Sequence, residues 1–258
     1  MRVVLDARNL VASGGTGVAT YAQTLSRAYE AKEASVSWLR APLRASGGTH
    51  TPLVCMARLG RSCVGHRKIR RTDTDYEVAD LYRVATVRYK TFSKITVLES
   101  DSRPSLMHWT SPLPIRWAGI PNVVTIHDLI PLLHPGLVGT SISNFKHFLQ
   151  ECCDGARAVV TVSEAVRADI LACLDVPPGK VFNLSQAVTF DEAMLEASRR
   201  VPTFCPDGGF LYFGLLDRRK NIARLIRAHG LSGTRRPLIL IGCLLSTSDA
   251  ADEQRGCD

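Results

Sequence analysis

Four short apolar runs that alternate with helix-like segments limit the fold of this 258-residue chain more than any other feature. The runs are rich in β-branched residues and comprise Leu106–Trp109, Val123–Asp128, Ala158–Glu164 and Lys180–Leu184. Strands that are apolar along most of their length and are joined by helices indicate a parallel sheet with helices on both faces. The sequence therefore predicts an α/β fold built on a Rossmann-like parallel sheet.

Polar residues form the ends of two of these runs, at the positions where ligands gather in parallel sheets. His127 and Asp128 end one run, and Ser163 and Glu164 end the next. Ser163 is well suited to cap the helix predicted over Glu164–Leu174, because its hydroxyl can accept a hydrogen bond from a free amide. From the residues alone, a single histidine before an aspartate is more often structural than functional, so both interpretations of His127 stay open.

The N-terminal residues predict a strand over Arg2–Leu5, a glycine-containing loop over residues 13–17 and a helix from about Val18 to Tyr29. Six residues indicate this helix because they fall on one face at helical spacing: Val18, Tyr21, Ala22, Leu25, Ala28 and Tyr29. Such a unit lets backbone amides approach a phosphate or a sugar. The dinucleotide-binding pattern is not met, since the loop begins well after the strand and the third glycine is absent. A loop shaped only by the needs of folding is therefore the alternative.

A second strand–loop–helix unit lies within Phe210–His229. It comprises a strand over Phe210–Phe213, a glycine, a charged turn and a helix whose start Asn221 can cap with its side chain. Arg219 and Lys220 then lie beside a helix N-terminus, where free amides and the helix dipole favour an anion. These features are those of a phosphate site, and an ordinary unit with solvated basic residues is an equal alternative.

The composition describes a soluble globular protein with reduced thiols. Hydrophobic residues make up 45% and charged residues 22% of the chain, and no apolar run is long enough to span a bilayer. The eight cysteines form no CxxC pair, which argues against a zinc site or a disulfide framework and favours a cytoplasmic protein. The net charge of +8 fits an anionic substrate, a membrane surface or a merely basic protein.

Residues 40–75 carry loop and charge signals without clear periodicity. Their basic run, His66–Arg71, is most simply a solvated face, and contact with anionic lipid head groups is the alternative. The segment that follows predicts one helix over Tyr76–Phe92, with Val78 and Leu81 among its buried residues.

Four passages resemble, in order and spacing, the retaining GT-B glycosyltransferases of family 4, which use nucleotide-sugar donors: Gly14–Tyr21, Val123–Pro135, Ala158–Ile170 and Phe210–Asn221. The resemblance extends from Met1 to about Gly242. It implies two Rossmann-like domains. We therefore expect an N-terminal, acceptor-side domain over residues 1–195, a linker over 196–207 and the start of a nucleotide-sugar-binding domain over 208–242.

The resemblance also implies roles for individual residues. Arg219 and Lys220 match the cations that hold the donor diphosphate, and Gly214 matches the glycine that lets the diphosphate approach the backbone. His127 matches the active-site histidine beside the transferred sugar, which makes it the implied catalytic residue. Further matched positions are the loop glycines near donor and acceptor and the residues that line the site: Gly15, Gly17, Asp128, Ser163 and Glu164.

The activity implied by the resemblance is transfer of a sugar from a nucleotide-diphosphate sugar to a hydroxyl acceptor, with retention at the anomeric carbon. The acceptor expected from the family is a saccharide or a lipid-linked saccharide, in the synthesis of a surface glycan or polysaccharide. No cofactor and no metal are implied, and no nucleic-acid partner is expected. The expected location is cytoplasmic, with peripheral contact at the inner face of the membrane.

Two other classes of function stay open. One is a non-catalytic fragment that binds a sugar or a phosphate, because the family's pair of glutamates, separated by seven residues, is missing after Ile241. The other is a basic surface protein that binds anionic lipid or nucleic acid through His66–Arg71, although no recognised nucleic-acid motif supports it. The segment Cys243–Asp258 resembles a translated sequencing adapter. We therefore expect a non-native tail, a truncated gene and a chain that is inactive as given.

Overall fold

A computed structural model describes residues 1–11, 17–42, 52–137, 141–188, 190, 192–201, 208–216 and 220–242. The chain divides into two compact units, one within residues 1–188 and the other within residues 189–256. Both units combine helices with parallel strands, so the predicted α/β class is confirmed. The boundaries expected at residues 195 and 208 stay a prediction. No helix in these ranges is long and apolar enough to cross a membrane.

The strands of the first unit are β1 (Arg2–Asp6), β2 (Ser35–Arg40), β3 (His66–Lys68), β4 (Arg70–Arg71), β5 (Tyr76–Glu77), β6 (Thr96–Glu99), β7 (Leu106–Trp109), β8 (Ile115–Trp117), β9 (Asn122–Ile126), β10 (Ala158–Thr161) and β11 (Val181–Asn183). Its α-helices are α1 (Gly17–Glu30), α2 (Pro52–Ser62), α3 (Leu81–Phe92), α4 (Ile130–Leu133), α5 (Ile142–Asp154) and α6 (Glu164–Cys173). The second unit contains α7 (Glu192–Arg199), β12 (Phe210–Phe213), α8 (Ile222–Leu231) and β13 (Leu238–Ile241).

Eight strands of the first unit form one sheet in the order β11-β10-β9-β7-β1-β2-β5-β4. Its neighbouring strands are parallel except for β4 and β5, which are antiparallel. The register places Val4 opposite Met107 and Val160 opposite Thr125. A smaller sheet, β3-β6-β8, is parallel throughout. The parallel sheet that the apolar runs predicted is therefore confirmed.

The central strands are buried along most of their length, which is why they are apolar almost without interruption. Val3, Val4 and Leu5 of β1 have no exposed surface, and neither does Ile126 at the end of β9. Trp109 at the end of β7 is also inside the core. Burial of each side chain of this kind contributes about 1.5–3 kcal/mol. The strand ends that carry the polar residues are thus fixed by the core directly beneath them.

Asn122 begins β9 and joins it to two other segments through a buried side-chain amide. Its Oδ1 accepts from Trp109 Nε1 at 3.0 Å and from the Trp117 backbone amide at 2.9 Å. Its Nδ2 donates to the Trp117 carbonyl at 2.8 Å and to the Ile120 carbonyl at 3.0 Å. A buried amide with this many partners stabilises the fold, because its removal would leave buried donors and acceptors unpaired.

Residues 76–92 do not form the single helix that the sequence predicted. Tyr76–Glu77 pairs in parallel with β2 as β5, and α3 begins only at Leu81. Tyr76 is buried in the sheet, so core packing there overrides the helical spacing of Val78 and Leu81. Asp80 separates β5 from α3, and its φ of 54° lies in the left-handed region.

The basic run His66–Arg71 forms β3 and β4, with Ile69 buried between them. The prediction of a solvated face is correct for most of its charged side chains but not for its backbone, which pairs in two sheets. In α1 the predicted inward position of Ala28 is wrong, since Ala28 is exposed and Ser26 is buried instead.

In the second unit, β12 and β13 pair in parallel and α8 connects them, which confirms the strand and helix predicted within Phe210–His229. The prediction that Asn221 caps α8 with its side chain is wrong: Asn221 occupies the cap position without a side-chain hydrogen bond. Its φ is 54°, whereas a capping side chain reaches the helix amides from an extended backbone.

Candidate active site

The carboxyl edge of the main sheet brings together the residues that the sequence singled out in the first unit. The strand order places β10, β9, β7 and β1 side by side. His127 follows β9 directly, and Ser163 lies between β10 and α6. Because β9 and β10 are parallel, with Ile126 opposite Thr161, these two predicted positions lie at the same edge.

Two contacts hold the imidazole ring of His127. Its Nε2 lies 2.8 Å from the carbonyl oxygen of Thr110, just beyond β7. A carbonyl oxygen can only accept, so Nε2 carries a proton and donates it. The Tyr21 ring of α1 packs against the imidazole edge to face, with ring centroids 4.8 Å apart and planes at 90°. In the neutral ring, Nδ1 is then a hydrogen-bond acceptor.

Asp6, the last residue of β1, contacts Thr110 from the other side. Its Oδ1 accepts from the Thr110 amide, whereas its Oδ2 has no hydrogen-bond partner among the residues that the structure describes. Asp6 is 1% exposed, and this burial raises the pKa of its carboxyl to about 6. The Thr110 amide and hydroxyl and the nearby Arg8 lower the pKa but do not offset the burial. The backbone of Thr110 therefore links Asp6 to His127.

A series of hydrogen bonds, two of them buried, connects the two strands beside His127 to α1. His108 Nε2 is 2.8 Å from the Thr125 hydroxyl, and His108 Nδ1 is 3.0 Å from the Tyr29 hydroxyl. The Tyr21 hydroxyl lies 2.9 Å from the same Thr125 hydroxyl. Burial, and after it the nearby His127, lowers the pKa of His108 to about 3, so His108 is neutral at pH 7. These hydrogen bonds fix α1 on the sheet. Through Tyr21 they also hold the ring of His127 in place.

The other predicted residues at this edge make structural contacts. Asp128 Oδ1 accepts from a backbone amide at the start of α4, at 3.1 Å. Ser163 Oγ accepts from the Val166 amide at 3.2 Å, which confirms the predicted cap of α6. Glu164 is exposed and accepts from Asn183 Nδ2 at 3.0 Å. That these residues also line a ligand site stays a prediction.

Of the glycine-containing loop over residues 13–17, the structure describes only the last residue. Gly15 lies outside the described residues, and Gly17 is the first residue of α1. A Cβ built on Gly17 meets no atom of the described residues within 4 Å. Free amides at such a helix start favour anions, and phosphate contact here stays a prediction.

In the second unit, Gly214 follows β12 directly, and Lys220 lies just before the start of α8. Gly214 has a φ of 134°, which favours glycine, and its amide donates to the Ile241 carbonyl at 2.9 Å. Lys220 is exposed, and Arg219 lies outside the described residues. The backbone conformation accounts for the glycine by itself, so the approach of a diphosphate stays a prediction.

Carboxylates, imidazoles and thiols do not form a metal site in the described ranges, where no three such side chains come together as ligands. Asp73 and Asp75 form a DxD sequence. Asp75, however, accepts from the Trp38 amide at 2.9 Å and pairs with Arg40 at 2.6 Å, which is a structural role.

Sequence reasoning missed three residues of this site: Asp6, Thr110 and Tyr21. Asp6 ends an apolar strand in the same way as His127 follows one, so the strand-end rule could have found it. Tyr21 lies on the predicted inner face of α1, but periodicity reports only burial and not the hydroxyl's partner. Thr110 acts through its backbone, for which the sequence holds no signal.

Sucrose-phosphate synthase from Thermosynechococcus elongatus has a similar fold, with a TM-score of 0.55 and 13% identity over 98% of this chain and 65% of that one. The fold is accordingly of the GT-B type. The sequence model of Glycosyltransferase Family 4 matches residues 15–188, which is more than half of the chain. The chain belongs to Glycosyltransferase Family 4.

Two curated relatives are bacterial mannosyltransferases. The serotype-specific mannosyltransferase WbdA of Escherichia coli is 29% identical over 119 residues, which are 43% of this chain and 14% of the relative. The O-antigen chain mannosyltransferase B of Escherichia coli is 28% identical over 133 residues, which are 46% of this chain and 34% of the relative. The aligned region is thus only a part of either relative.

Proposed function

We propose that this chain forms part of a retaining glycosyltransferase that transfers a sugar from a nucleotide-diphosphate sugar to a hydroxyl of a growing surface glycan. The observation that carries the proposal is the placement of His127. It lies at the carboxyl edge of the sheet, half-buried, with its ring orientation and proton position set by Tyr21 and Thr110. Membership of Glycosyltransferase Family 4 supports the reaction class.

The proposed reaction takes place on one face of the donor sugar. The bond between the anomeric carbon and the phosphate oxygen breaks, and the acceptor oxygen forms the new bond on the same face. The proton of the acceptor hydroxyl passes to the leaving phosphate, so no enzyme carboxylate has to take it. The protein's contribution is then to orient the sugar and to stabilise charge on the leaving diphosphate.

His127 orients the sugar in this proposal. Its Nε2–H is already donated to the Thr110 carbonyl, which leaves Nδ1 to accept from a sugar hydroxyl. The edge-on Tyr21 ring prevents the imidazole from turning away, because the Tyr21 hydroxyl is held at Thr125. His127 is therefore a catalytic residue by position and not by proton transfer.

Arg219 and Lys220 hold the donor diphosphate in this proposal, and Gly214 lets it approach the chain. Two cations offset the charge that develops on the leaving group. The start of α8 adds backbone amides that the Asn221 side chain does not use. Support comes from the place of Lys220 beside the helix start.

The sugar in this proposal is mannose, since both curated relatives are mannosyltransferases. The acceptor is a saccharide or a lipid-linked saccharide, and one of these relatives is an O-antigen chain mannosyltransferase. A lipid-linked acceptor brings the protein to a membrane surface from the aqueous side. The net charge of +8 favours such contact with anionic lipids.

The test is transfer of mannose from nucleotide-diphosphate mannose donors by the protein expressed from the full reading frame at its locus. His127→Ala is expected to lower kcat roughly 100-fold, the size typical for loss of one oriented polar contact in an active site. His147→Ala, which removes an exposed imidazole on α5, is the matched control. Nuclear magnetic resonance of the product is expected to show the donor's anomeric configuration. Equal turnover by both histidine variants, or an inverted product, would refute the proposal.

The 258-residue chain by itself is proposed to bind the donor without turnover. The observation behind this second candidate is the position of Lys220 just before the start of α8, where free amides favour an anion. Calorimetry with nucleoside diphosphates is expected to show binding that Arg219→Ala and Lys220→Ala each weaken. Sustained transfer by these 258 residues would contradict it.

A further inference from the structure

A basic cavity lies in the first unit, away from His127, within the described residues. Its volume is about 790 Å³, and its charged lining residues are Arg61, His66, Arg67, Lys68, Arg70 and Glu77. These side chains come from α2 and from the basic run His66–Arg71, together with β5. The run that the sequence presented as a solvated face therefore lines a concavity.

The cavity opens at the same edge of the main sheet as the candidate active site. Pro42 and Val78, two further lining residues, follow the carboxyl ends of β2 and β5. His127 follows β9, which is separated from β5 by β7, β1 and β2. At about 4.8 Å per strand spacing, the two places are roughly 19 Å apart.

Carboxylates of the protein neutralise only part of the positive charge that lines the cavity. Arg61 pairs with Asp80 at 3.1 Å, but Asp80 is buried and already pairs with Arg58 at 2.8 Å. Arg70 pairs with Glu77. The ammonium of Lys68 meets no carboxylate among the residues whose positions are described.

His66 and Arg67 complete the polar lining. His66 Nδ1 lies 2.7 Å from an oxygen of the exposed carboxylate of Glu99, and Arg67 donates to the Ala79 carbonyl at 3.5 Å. Four permanent cations, on Arg61, Arg67, Lys68 and Arg70, therefore line the cavity. Arg61 pairs with Asp80 and Arg70 pairs with Glu77, so carboxylates offset only part of this charge. An excess of positive charge inside a concavity favours an anion with several acceptor oxygens, because guanidinium groups bind such oxygens in pairs.

We infer that this cavity is a phosphate-binding site, separate from the candidate site at His127. Its ligand bears a phosphate or diphosphate group. Apolar side chains continue the surface beside it: Val64 lines the cavity, and Met56 and Leu59 on α2 are exposed. The phosphate can therefore belong to a soluble molecule or to a lipid head group whose apolar part lies along α2. The inference does not depend on the transfer reaction.

The test is calorimetry of the 258-residue chain with inorganic pyrophosphate, in an Arg219→Ala/Lys220→Ala background that removes the proposed donor grip. We expect saturable binding at one site. Lys68→Glu is expected to lower the affinity at least tenfold. Lys32→Glu is the matched control, because Lys32 is exposed in the turn that precedes the amino end of β2 and the change in net charge is the same. It is expected to change the affinity less than twofold.

Vesicle sedimentation distinguishes the two sources of phosphate. Binding to phosphatidic acid vesicles that Lys68→Glu abolishes and Lys32→Glu retains, with none to phosphatidylcholine vesicles, supports a lipid head group. Binding of pyrophosphate alone, with the same response to the two variants, supports a soluble ligand. Equal responses of the two variants, or no binding of either probe, would overturn the inference. Mannosyl transfer is measured independently, so failure here leaves the proposed function standing.

Discussion

Replacement of Asp6 by asparagine is expected to make the protein's stability less sensitive to pH. Asp6 is almost completely buried, and its pKa is raised from 3.8 to about 6 by that burial. The native state therefore holds the Asp6 proton more tightly than the unfolded state does. Ionisation of Asp6 costs stability as the pH rises from about 4 through 6, and the full cost is present above pH 6.

The size of this cost follows from the pKa difference. A shift from 3.8 to about 6 corresponds to about 3 kcal/mol at pH values well above 6, at about 1.4 kcal/mol per pKa unit. At pH 4.5 the unfolded carboxyl is already mostly ionised, so about 1 kcal/mol of the cost is present there. Between pH 4.5 and 7.5 the native protein therefore loses about 2 kcal/mol through Asp6. Asp6→Asn keeps an oxygen for the Thr110 amide and removes the titration.

The measurement is urea unfolding of both proteins at the two pH values. The free energy of unfolding of Asp6→Asn, relative to the unsubstituted protein, is expected to rise by about 2 kcal/mol from pH 4.5 to 7.5. The pKa of His108 is lowered to about 3, so His108 makes both proteins less stable as the pH falls. This effect is the same in both proteins and cancels in the comparison. Asp101→Asn, at an exposed carboxylate, is the control and is expected to show no such rise. A relative stability of Asp6→Asn that is equal at both pH values would refute the reasoning.

Two further predictions concern stability and are read from urea unfolding. Asn122→Ala removes four hydrogen bonds, three of them buried, and is expected to cost about 4 kcal/mol, at about 1 kcal/mol each. A cost no larger than that of the exposed Asn144→Ala would contradict this. Ser163→Ala is expected to cost about 1 kcal/mol because α6 loses its cap, whereas Ser163→Asp retains most of it. Equal stabilities of the two Ser163 variants would show that the cap contributes nothing.

The sequence predicted β1, β7, β9, β10 and β11 of the parallel sheet, because these strands are apolar along most of their length. It did not predict β2, where Ser35, Ser37 and Arg40 interrupt the apolar pattern. It did not predict β6 or the strand pairing of the basic run His66–Arg71. These strands are short and charged, and their pairing depends on partners far along the chain, such as β8 for β6. Residues 76–78 show the opposite error, since the helical spacing of Val78 with Leu81 is real but the pairing of Tyr76 with Leu39 places this segment in the sheet.

The site was predictable to the extent that it consists of strand ends. His127 and Ser163 both stand at the ends of apolar runs, although the functional role of His127 rests mainly on the resemblance to the family. The predicted cap at Ser163 is confirmed. Asp6 and Thr110 meet across 104 positions of sequence, and so do Tyr21 and Thr125. Local patterns of charge or periodicity contain no information on contacts of that separation.

The geometry gives α1 two roles that the sequence presented as separate. Its first residue, Gly17, ends the glycine loop, and one turn later Tyr21 packs on the ring of His127. The hydroxyls of Tyr21 and Tyr29 bind Thr125 and His108, on the strands β9 and β7 that carry the edge. A displacement of α1 therefore moves the glycine end of the site and the histidine together. The two tyrosine hydroxyls therefore help to hold both parts of the candidate site in place.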